Sequence, residues 1–146
     1  MNLPCYLKSL GYTEVPFTFT RVNHIVIHAH VNGEDVVLIV DTGASRTCIA
    51  ESCAERLGLT PGKVEKVAVS FALPKKTKAS SKLESVDIGS LHLTNFETWL
   101  VDFSYINMLV QMKGEEFCDG VLGADILKQT SAVIDYRCNK LYLKAA

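Results

Sequence analysis

The sequence predicts a mostly-β domain, because it combines β-branched runs, frequent turn signals and only short stretches of helical periodicity. Residues 36–40 read VVLIV, and a second β-branched run precedes them at residues 26–31. Asn32-Gly33 lies between the two runs, and such a pair favours a tight hairpin. VVLIV is apolar at every position, so we expect a strand buried on both faces. Many short strands of this kind favour a barrel or a sandwich.

The remaining elements are short as well. Strands are predicted at residues 64–73, 83–88, 91–101, 133–136 and 141–143, and helices at residues 50–57 and 124–128. Gly58 follows the first of these helices, as expected of a helix terminator. Residues 74–82, PKKTKASSK, are polar and basic and are interpreted as an exposed loop.

Composition and charge exclude several classes of protein. The chain has 146 residues, 48% of them hydrophobic and 21% charged, which is typical of one folded domain. A net charge of -1 gives no field that would attract nucleic acid, so no nucleic-acid partner is expected. No run approaches the roughly 18–20 apolar residues of a membrane span, and the first residues do not resemble a secretory signal. We therefore expect a soluble chain in the cytoplasm.

The five cysteines are an odd number and include no C-x-x-C pair. This pattern argues against a zinc site and against complete pairing into disulfides. Buried, reduced thiols are the expected state, and they favour a reducing compartment. They are Cys5, Cys48, Cys53, Cys118 and Cys138.

The strongest candidate for chemistry is Asp41-Thr42-Gly43, which directly follows the apolar run. A carboxylate at the end of an apolar strand is costly unless it is paired or used. Gly43 permits a tight turn under that carboxylate, and Thr42 supplies a hydroxyl. The triplet is a weak signal by itself but a strong one in this position.

These residues resemble the active-site motif of the retropepsin-like aspartic proteases. The resemblance extends to Val31-Asn32-Gly33 upstream, to Val121-Leu122-Gly123 before a helix, and to Ile134-Asp135-Tyr136 before the last strand. It covers roughly residues 23–143. It implies a closed-barrel-like fold with one or two short helices, in which residues 1–22 are an N-terminal extension and residues 23–146 are the protease domain.

The resemblance implies an endopeptidase without metal or cofactor. One triplet per chain supplies one carboxylate, while the chemistry needs two that share a proton, so the active form is expected to be a homodimer. Asp41 would be catalytic, Thr42 would link the two loops, and the Gly43 N–H would favour the ionised carboxylate. The last strand, residues 141–143, would join a sheet between the subunits.

The family also has a flap that closes over an extended polypeptide substrate. Residues 64–73 and 83–88 occupy its place, without the glycines that many relatives carry at the tip. Substrate contacts are assigned to Ala44, to Phe71, Ala72 and Leu73 of the flap strand, and to Leu122. The lysines of residues 75–82 favour either acidic residues near the cleavage site or simply a solvated loop tip.

Two further features have alternative readings. Asp125 lies at the start of the second helix and is expected to cap it or to brace the fold rather than to act as the second catalytic acid. His24, His28 and His30 share one face of a strand, which suits either a metal site or a solvent-facing surface. The rival to a protease is an inactive peptide-binding or dimerisation module with the same fold.

Overall fold

The structure, a computed structural model, describes residues 1–62, 64–67, 76–104 and 117–145. The helices whose bounds fall within these ranges are α1 (Leu3–Ser9) and α2 (Ala124–Gln129), and one 3-10 turn lies at Glu51–Cys53. The strands are β1 (Thr13–Pro16), β2 (Thr18–Phe19), β3 (Ile25–Val31), β4 (Glu34–Val40), β5 (Cys48–Ala50), β6 (Val64–Val67), β7 (Lys76–Ile88), β8 (Leu91–Val101), β9 (Gly120–Leu122), β10 (Val133–Asp135) and β11 (Lys140–Leu143).

Six strands close into a barrel. Their order is β3-β4-β9-β5-β8-β7, and pairing of β7 back to β3 at His30–Asp87 and Val31–Val86 completes the ring. The short strands β2 and β6 extend it at β3 and β7. The predicted mostly-β, closed-barrel-like fold is therefore confirmed. In the part of the chain that is described, no helix is both long and apolar enough to cross a membrane.

The β3–β4 hairpin forms as the sequence predicts. Asn32 and Gly33 both have positive φ, 51° and 82°, which is the conformation that an Asn-Gly hairpin turn requires. Burial along β4 differs from the prediction, because Val36, Leu38 and Val40 are buried while Val37 and Ile39 are only half-buried. One face of β4 thus packs into the barrel, and the other remains partly open.

The interior of the barrel is filled by aliphatic side chains that alternate along the strands. Each fully buried side chain contributes about 1.5–3 kcal/mol relative to an exposed one. The side chains with at most 2% exposure include Ile27, Leu38, Ile49, Leu83, Ile88, Leu100, Leu122 and Ile126. Ile126 and Leu127 of α2 belong to this same core, so the helix closes one part of the barrel.

A second sheet, in the order β1-β11-β10, joins the two ends of the chain. Leu141, Tyr142 and Leu143 of its central strand are 0% exposed. β1 lies within the predicted N-terminal extension, residues 1–22, and its Val15 packs into the core. The boundary at residue 22 stays a prediction. Because β11 is paired on both edges within the described chain, residues 141–143 could join a sheet between subunits only as an inner strand, and this role stays a prediction.

Two local expectations need correction. The predicted loop at residues 74–82 is strand from Lys76 onward, and its residues 78–82 are held by pairing with β8. The predicted helix at residues 50–57 is a 3-10 turn followed by turns that end at Gly58, which has φ 67°. Its buried residues, Cys53 and Leu57, still face the core.

All five cysteines are free thiols. Cys53 and Cys118 are buried, as expected, and Cys48 is half-buried. Cys5 and Cys138 are exposed, so the expectation of burial was wrong for these two. They lie in α1 and in the β10–β11 turn, both at the surface of the described chain.

Candidate active site

Asp41 begins a tight turn at the end of β4. Its backbone N–H donates to the carbonyl of Leu122 in β9 (3.0 Å), which fixes the start of the turn to the barrel. The Gly43 N–H donates to Asp41 Oδ1 (2.8 Å), and the Ala44 N–H donates to the Asp41 carbonyl (3.2 Å). A Cβ at position 43 would lie 3.2 Å from Oδ1, so glycine permits this close approach. The carboxylate is thereby held at the surface by a backbone donor.

The groups of this turn are open to solvent in the single chain. Asp41, Thr42 and Gly43 are all exposed. Within the described residues, the Thr42 hydroxyl has no hydrogen-bond partner, and the Gly43 N–H is the one donor to the Asp41 carboxylate. The turn therefore offers a carboxylate and a hydroxyl that the chain itself leaves unused.

Residues 41–47, which join β4 to β5, form the candidate active-site loop. Thr47 and Asp125 brace the end of this loop that is away from the turn. The Thr47 N–H donates to both carboxylate oxygens of Asp125 (2.9 Å each), and the Thr47 hydroxyl donates to Oδ1 (2.7 Å). The Thr47 hydroxyl also accepts from the Gly123 N–H (3.0 Å). Asp125 thus braces the loop, as one of its two predicted roles proposed, while the N-cap of α2 is Gly123, which has no side-chain hydrogen bond.

Gly123 is required by close packing rather than by its backbone angles. A Cβ at this position would lie 2.5 Å from the carbonyl carbon of Arg46 and 2.8 Å from the Thr47 nitrogen. Any larger residue would push the active-site loop away from the start of α2. The Val121-Leu122-Gly123 triplet of the sequence motif therefore packs directly against this loop through Gly123.

An open pocket lies beside the turn. It has a volume of about 220 Å³ and is lined by Asp41 and Thr42, by His24 and neighbouring residues of β3, and by Ile134 and Tyr136. Thr42 and Ile134 also line a second open pocket, together with residues of α2. β10, which carries Ile134, is the outermost strand of the terminal sheet. The exposed turn thus lies next to a strand whose outer edge is unpaired among the described residues.

A half-buried row of side chains crosses the sheet from this turn. Ile39 pairs with Val121, Val121 with Cys48, and Cys48 with Trp99. Directly paired residues project from the same face of a sheet, so the four side chains form one row. Arg46 lies at its far end, with Cζ 4.8 Å from the centre of the Trp99 ring. Trp99 is half-buried in this row.

Cys48, in the middle of the row, has a raised pKa because it is desolvated and lies near carboxylates. Burial raises the pKa of the Cys48 thiol to about 12, and the charges of Cys118, Asp125 and Asp41 add to the shift. Cys48 is therefore a neutral, unreactive thiol at physiological pH.

The residues assigned to substrate binding are placed differently from one another. Ala44 is half-buried in the active-site loop, and its carbonyl accepts from the Ala124 N–H (2.7 Å). The Leu122 side chain is 0% exposed, which argues against a direct contact with substrate, and half-buried Val121 is the better candidate. Phe71, Ala72 and Leu73 lie outside the described residues. In the predicted flap, β6 and the start of β7 pair as an antiparallel hairpin.

The three histidines do not form a cluster. His24 precedes β3, and His28 and His30 are exposed on it, with His30 Nε2 2.6 Å from Asp35 Oδ1. Among the residues that the structure describes, no group of three or more His, Cys, Asp or Glu side chains is arranged to hold a metal ion.

Two parts of the site were not predicted from the sequence. Thr47 was not predicted because its partner, Asp125, lies 78 residues away in the chain. A signal was available, since Thr47 follows the Asp-Thr-Gly triplet and Asp125 follows the Val121-Leu122-Gly123 triplet. Arg46 was not predicted because the side chain that it contacts, Trp99, lies in another strand, far along the chain.

A closed β-barrel that presents an Asp-Thr-Gly turn, seated on a hydrophobic-hydrophobic-Gly triplet, is the architecture of the retropepsin-like proteases. A family model described as aspartyl protease matches residues 27–126, more than half of the chain. The chain therefore belongs to this aspartyl protease family.

The chain is also similar to individual known proteins. DNA damage-inducible protein 1 of Yarrowia lipolytica is 29% identical over 126 residues, which are 86% of this chain and 29% of that protein. The chain thus spans less than a third of that relative. A retropepsin-like aspartic protease from Rickettsia conorii superposes with a TM-score of 0.64 at 22% identity, covering 92% of both chains. The retroviral protease-like domain of Ddi1 from Leishmania major gives a TM-score of 0.57 at 17% identity, covering 82% of this chain and 87% of that one.

Proposed function

We propose that the chain is one half of an aspartic endopeptidase, in which two copies bring their Asp41 carboxylates together on a two-fold axis. The observation that carries this proposal is the exposed Asp41-Thr42-Gly43 turn, whose side chains have so few partners within their own chain. The triplet occurs once in the sequence, so a second carboxylate has to come from a second copy.

The surroundings of the turn support assembly at this point. The outer edge of β10 is unpaired among the described residues, and its Ile134 lies beside Thr42 in both pockets. Pairing of β10 with its symmetry mate would cover this edge and would bring the two turns together. The single-chain pocket of about 220 Å³ is also below the roughly 300–1,000 Å³ of ordinary ligand sites. Two copies would enclose a longer groove.

The proposed chemistry uses the pair of carboxylates in opposite protonation states. Two carboxylates about 3 Å apart share one proton, because both cannot be ionised at that distance. The ionised Asp41 takes a proton from a water, whose oxygen attacks the scissile carbonyl carbon, while the protonated Asp41 donates to the carbonyl oxygen. Collapse of the tetrahedral intermediate then breaks the C–N bond, and the amine leaves with a proton from the dyad. The Gly43 N–H favours the ionised partner.

The substrate in this proposal is a polypeptide bound in extended form. In this proposal the half-buried row from Ile39 to Trp99 is one wall of the groove, and the paired strands β6 and β7 belong to the flap that would cover it. No metal, cofactor or covalent intermediate takes part. Assignment of Asp41, Thr42 and Gly43 as catalytic residues, and of Ala44 as a substrate contact, belongs to the same proposal.

The test is a mixing experiment with Asp41→Asn. This variant alone should be folded and inactive, because one substitution removes both carboxylates of the dyad. At a constant total concentration of chains, an equal mixture with the wild-type chain should cleave a peptide library at about one quarter of the rate of wild type alone, because only pairs of two wild-type chains keep both carboxylates.

Sedimentation at each protein concentration checks the assembly state. Activity that falls only to one half on mixing would mean that each chain works alone and would contradict the shared dyad. A chain that stays monomeric at all concentrations and cleaves nothing would favour the inactive binding module.

A further inference from the structure

Among the described residues, no carboxylate is paired with Arg46, a cation at the edge of the proposed groove. Its guanidinium lies over the Trp99 ring, and no carboxylate of the described residues forms an ion pair with it. Arg46 is exposed, whereas Trp99 is half-buried. A guanidinium that lies flat on an aromatic ring keeps its in-plane N–H donors available to bind a carboxylate in a bidentate manner.

The backbone of Arg46 is held in place by its contacts with the start of α2. Its carbonyl carbon packs against Gly123, where even a Cβ would come within 2.5 Å. The next residue, Thr47, is held by three hydrogen bonds to Asp125. Both the backbone and the guanidinium of Arg46 are thus restrained, and a preorganised group loses little conformational entropy when it binds a ligand.

The row between the turn and Arg46 has the spacing of a peptide-binding wall. Neighbouring strands lie about 4.8 Å apart, so Val121, Cys48 and Trp99 span about 10 Å, which an extended peptide covers in about three residues. Val121 and Cys48 present a half-buried apolar surface, and Cys48 is uncharged. A peptide along this wall would meet apolar contacts first and the cation of Arg46 last.

We infer that Arg46, stacked on Trp99, selects substrates that carry a glutamate or aspartate about three residues from the scissile bond. This inference rests on the proposed function and names its substrate class. The dyad carries a net negative charge, which disfavours acidic peptides nearby, and Arg46 offsets that repulsion at one defined position.

The experiment profiles the cleavage sites of a peptide library for the wild-type chain, Arg46→Gln and Arg46→Glu. Wild type should favour an acidic residue at one position, and Arg46→Gln should lower kcat/KM for that peptide by about tenfold or more, as expected for loss of a charge-assisted hydrogen bond. The matched peptide with glutamine should be cleaved equally by both. Arg46→Glu should prefer lysine or arginine there.

Lys144→Gln is the matched control, since Lys144 also lies over an aromatic ring, Tyr12, on the terminal sheet. It should leave the profile unchanged. Cleavage by wild type without any acidic preference, or a preference that survives in Arg46→Gln, would overturn the inference while leaving the dyad intact.

A chain that cleaves nothing would contradict the proposed function instead. The inference is then decided by binding of the same peptides, measured by fluorescence anisotropy. Acidic peptides should bind more tightly than their glutamine counterparts to wild type but not to Arg46→Gln. Equal affinities in wild type would overturn the inference on this route too.

Discussion

The two ends of the active-site loop differ in where their polar groups find partners. At the Asp41-Thr42-Gly43 end, the side chains are exposed, and the Thr42 hydroxyl is unpaired within the described chain. At the other end, Thr47 and Asp125 satisfy each other through three short hydrogen bonds. The brace therefore stabilises the single chain, whereas the turn contributes little to that stability and keeps its groups for assembly and chemistry.

The brace should show the largest effect of substitution on stability. Asp125→Ala leaves the N–H and hydroxyl of Thr47 without an acceptor, and the cost should be about 2–4 kcal/mol in the free energy of unfolding, because buried donors lose their partners. Urea unfolding of the two proteins measures this difference.

Asp125→Asn is the matched control, since its amide oxygen still accepts one hydrogen bond and should recover part of the loss. If Asp125→Ala were as stable as wild type, the proposed division between brace and turn would be wrong.

Substitution in the turn should affect assembly rather than the fold. Thr42→Ala should change the stability of the single chain by no more than about 0.5 kcal/mol, as for other exposed sites. Dimerisation should weaken by about 1–3 kcal/mol for each hydroxyl that loses its place between the subunits, and symmetry applies this cost twice.

Sedimentation across a dilution series gives the dissociation constant. Thr42→Ser, which keeps the hydroxyl, should assemble like wild type. An unchanged dissociation constant in Thr42→Ala would place the two-fold axis elsewhere.

The terminal sheet extends the comparison to a third region and should show the smallest effect. The Tyr142 hydroxyl donates to Glu14 Oε1 (3.0 Å), and Lys8 lies 3.4 Å from the same carboxylate. The hydrogen bond from Tyr142, with a smaller contribution from Lys8, keeps the pKa of Glu14 below its ordinary value of 4.5 despite partial burial. The lowered pKa means that this carboxylate stabilises the fold when it is ionised.

Glu14→Gln should therefore destabilise the chain by about 1 kcal/mol or less at neutral pH. The stabilisation by Glu14 is complete above its unfolded pKa and is lost as the pH falls through the lower folded value. The difference between the two proteins should narrow toward acid pH, and urea unfolding at a series of pH values would show it. A difference that stays constant with pH would mean that packing, not ionisation, sets the contribution of Glu14.

Local sequence signals predicted the barrel and the turn well. Asn32-Gly33 requires positive φ at both residues, and Asp41-Thr42-Gly43 forms a turn within a few residues, so both are encoded locally. The partners of Arg46, Thr47 and β11 lie far along the chain, and neither period nor composition specifies them. The strand at residues 76–82 was missed because polar residues carry little strand signal, although the pairing of Ser80 with Trp99 and of Ser81 with Thr98 holds them.

The pairing of β1 with β11 has a consequence for the time course of folding. Thr13 pairs with Leu143, and Val15 with Leu141, so strands from opposite ends of the described chain form one ladder. Closing so long a loop is entropically costly and slows folding. During synthesis, β1 leaves the ribosome before the barrel strands and has to wait for β11, which follows them. We therefore expect the barrel to form first and the terminal sheet to close last, which would delay completion of the β10 edge, and with it any pairing of subunits, until β11 has been synthesised.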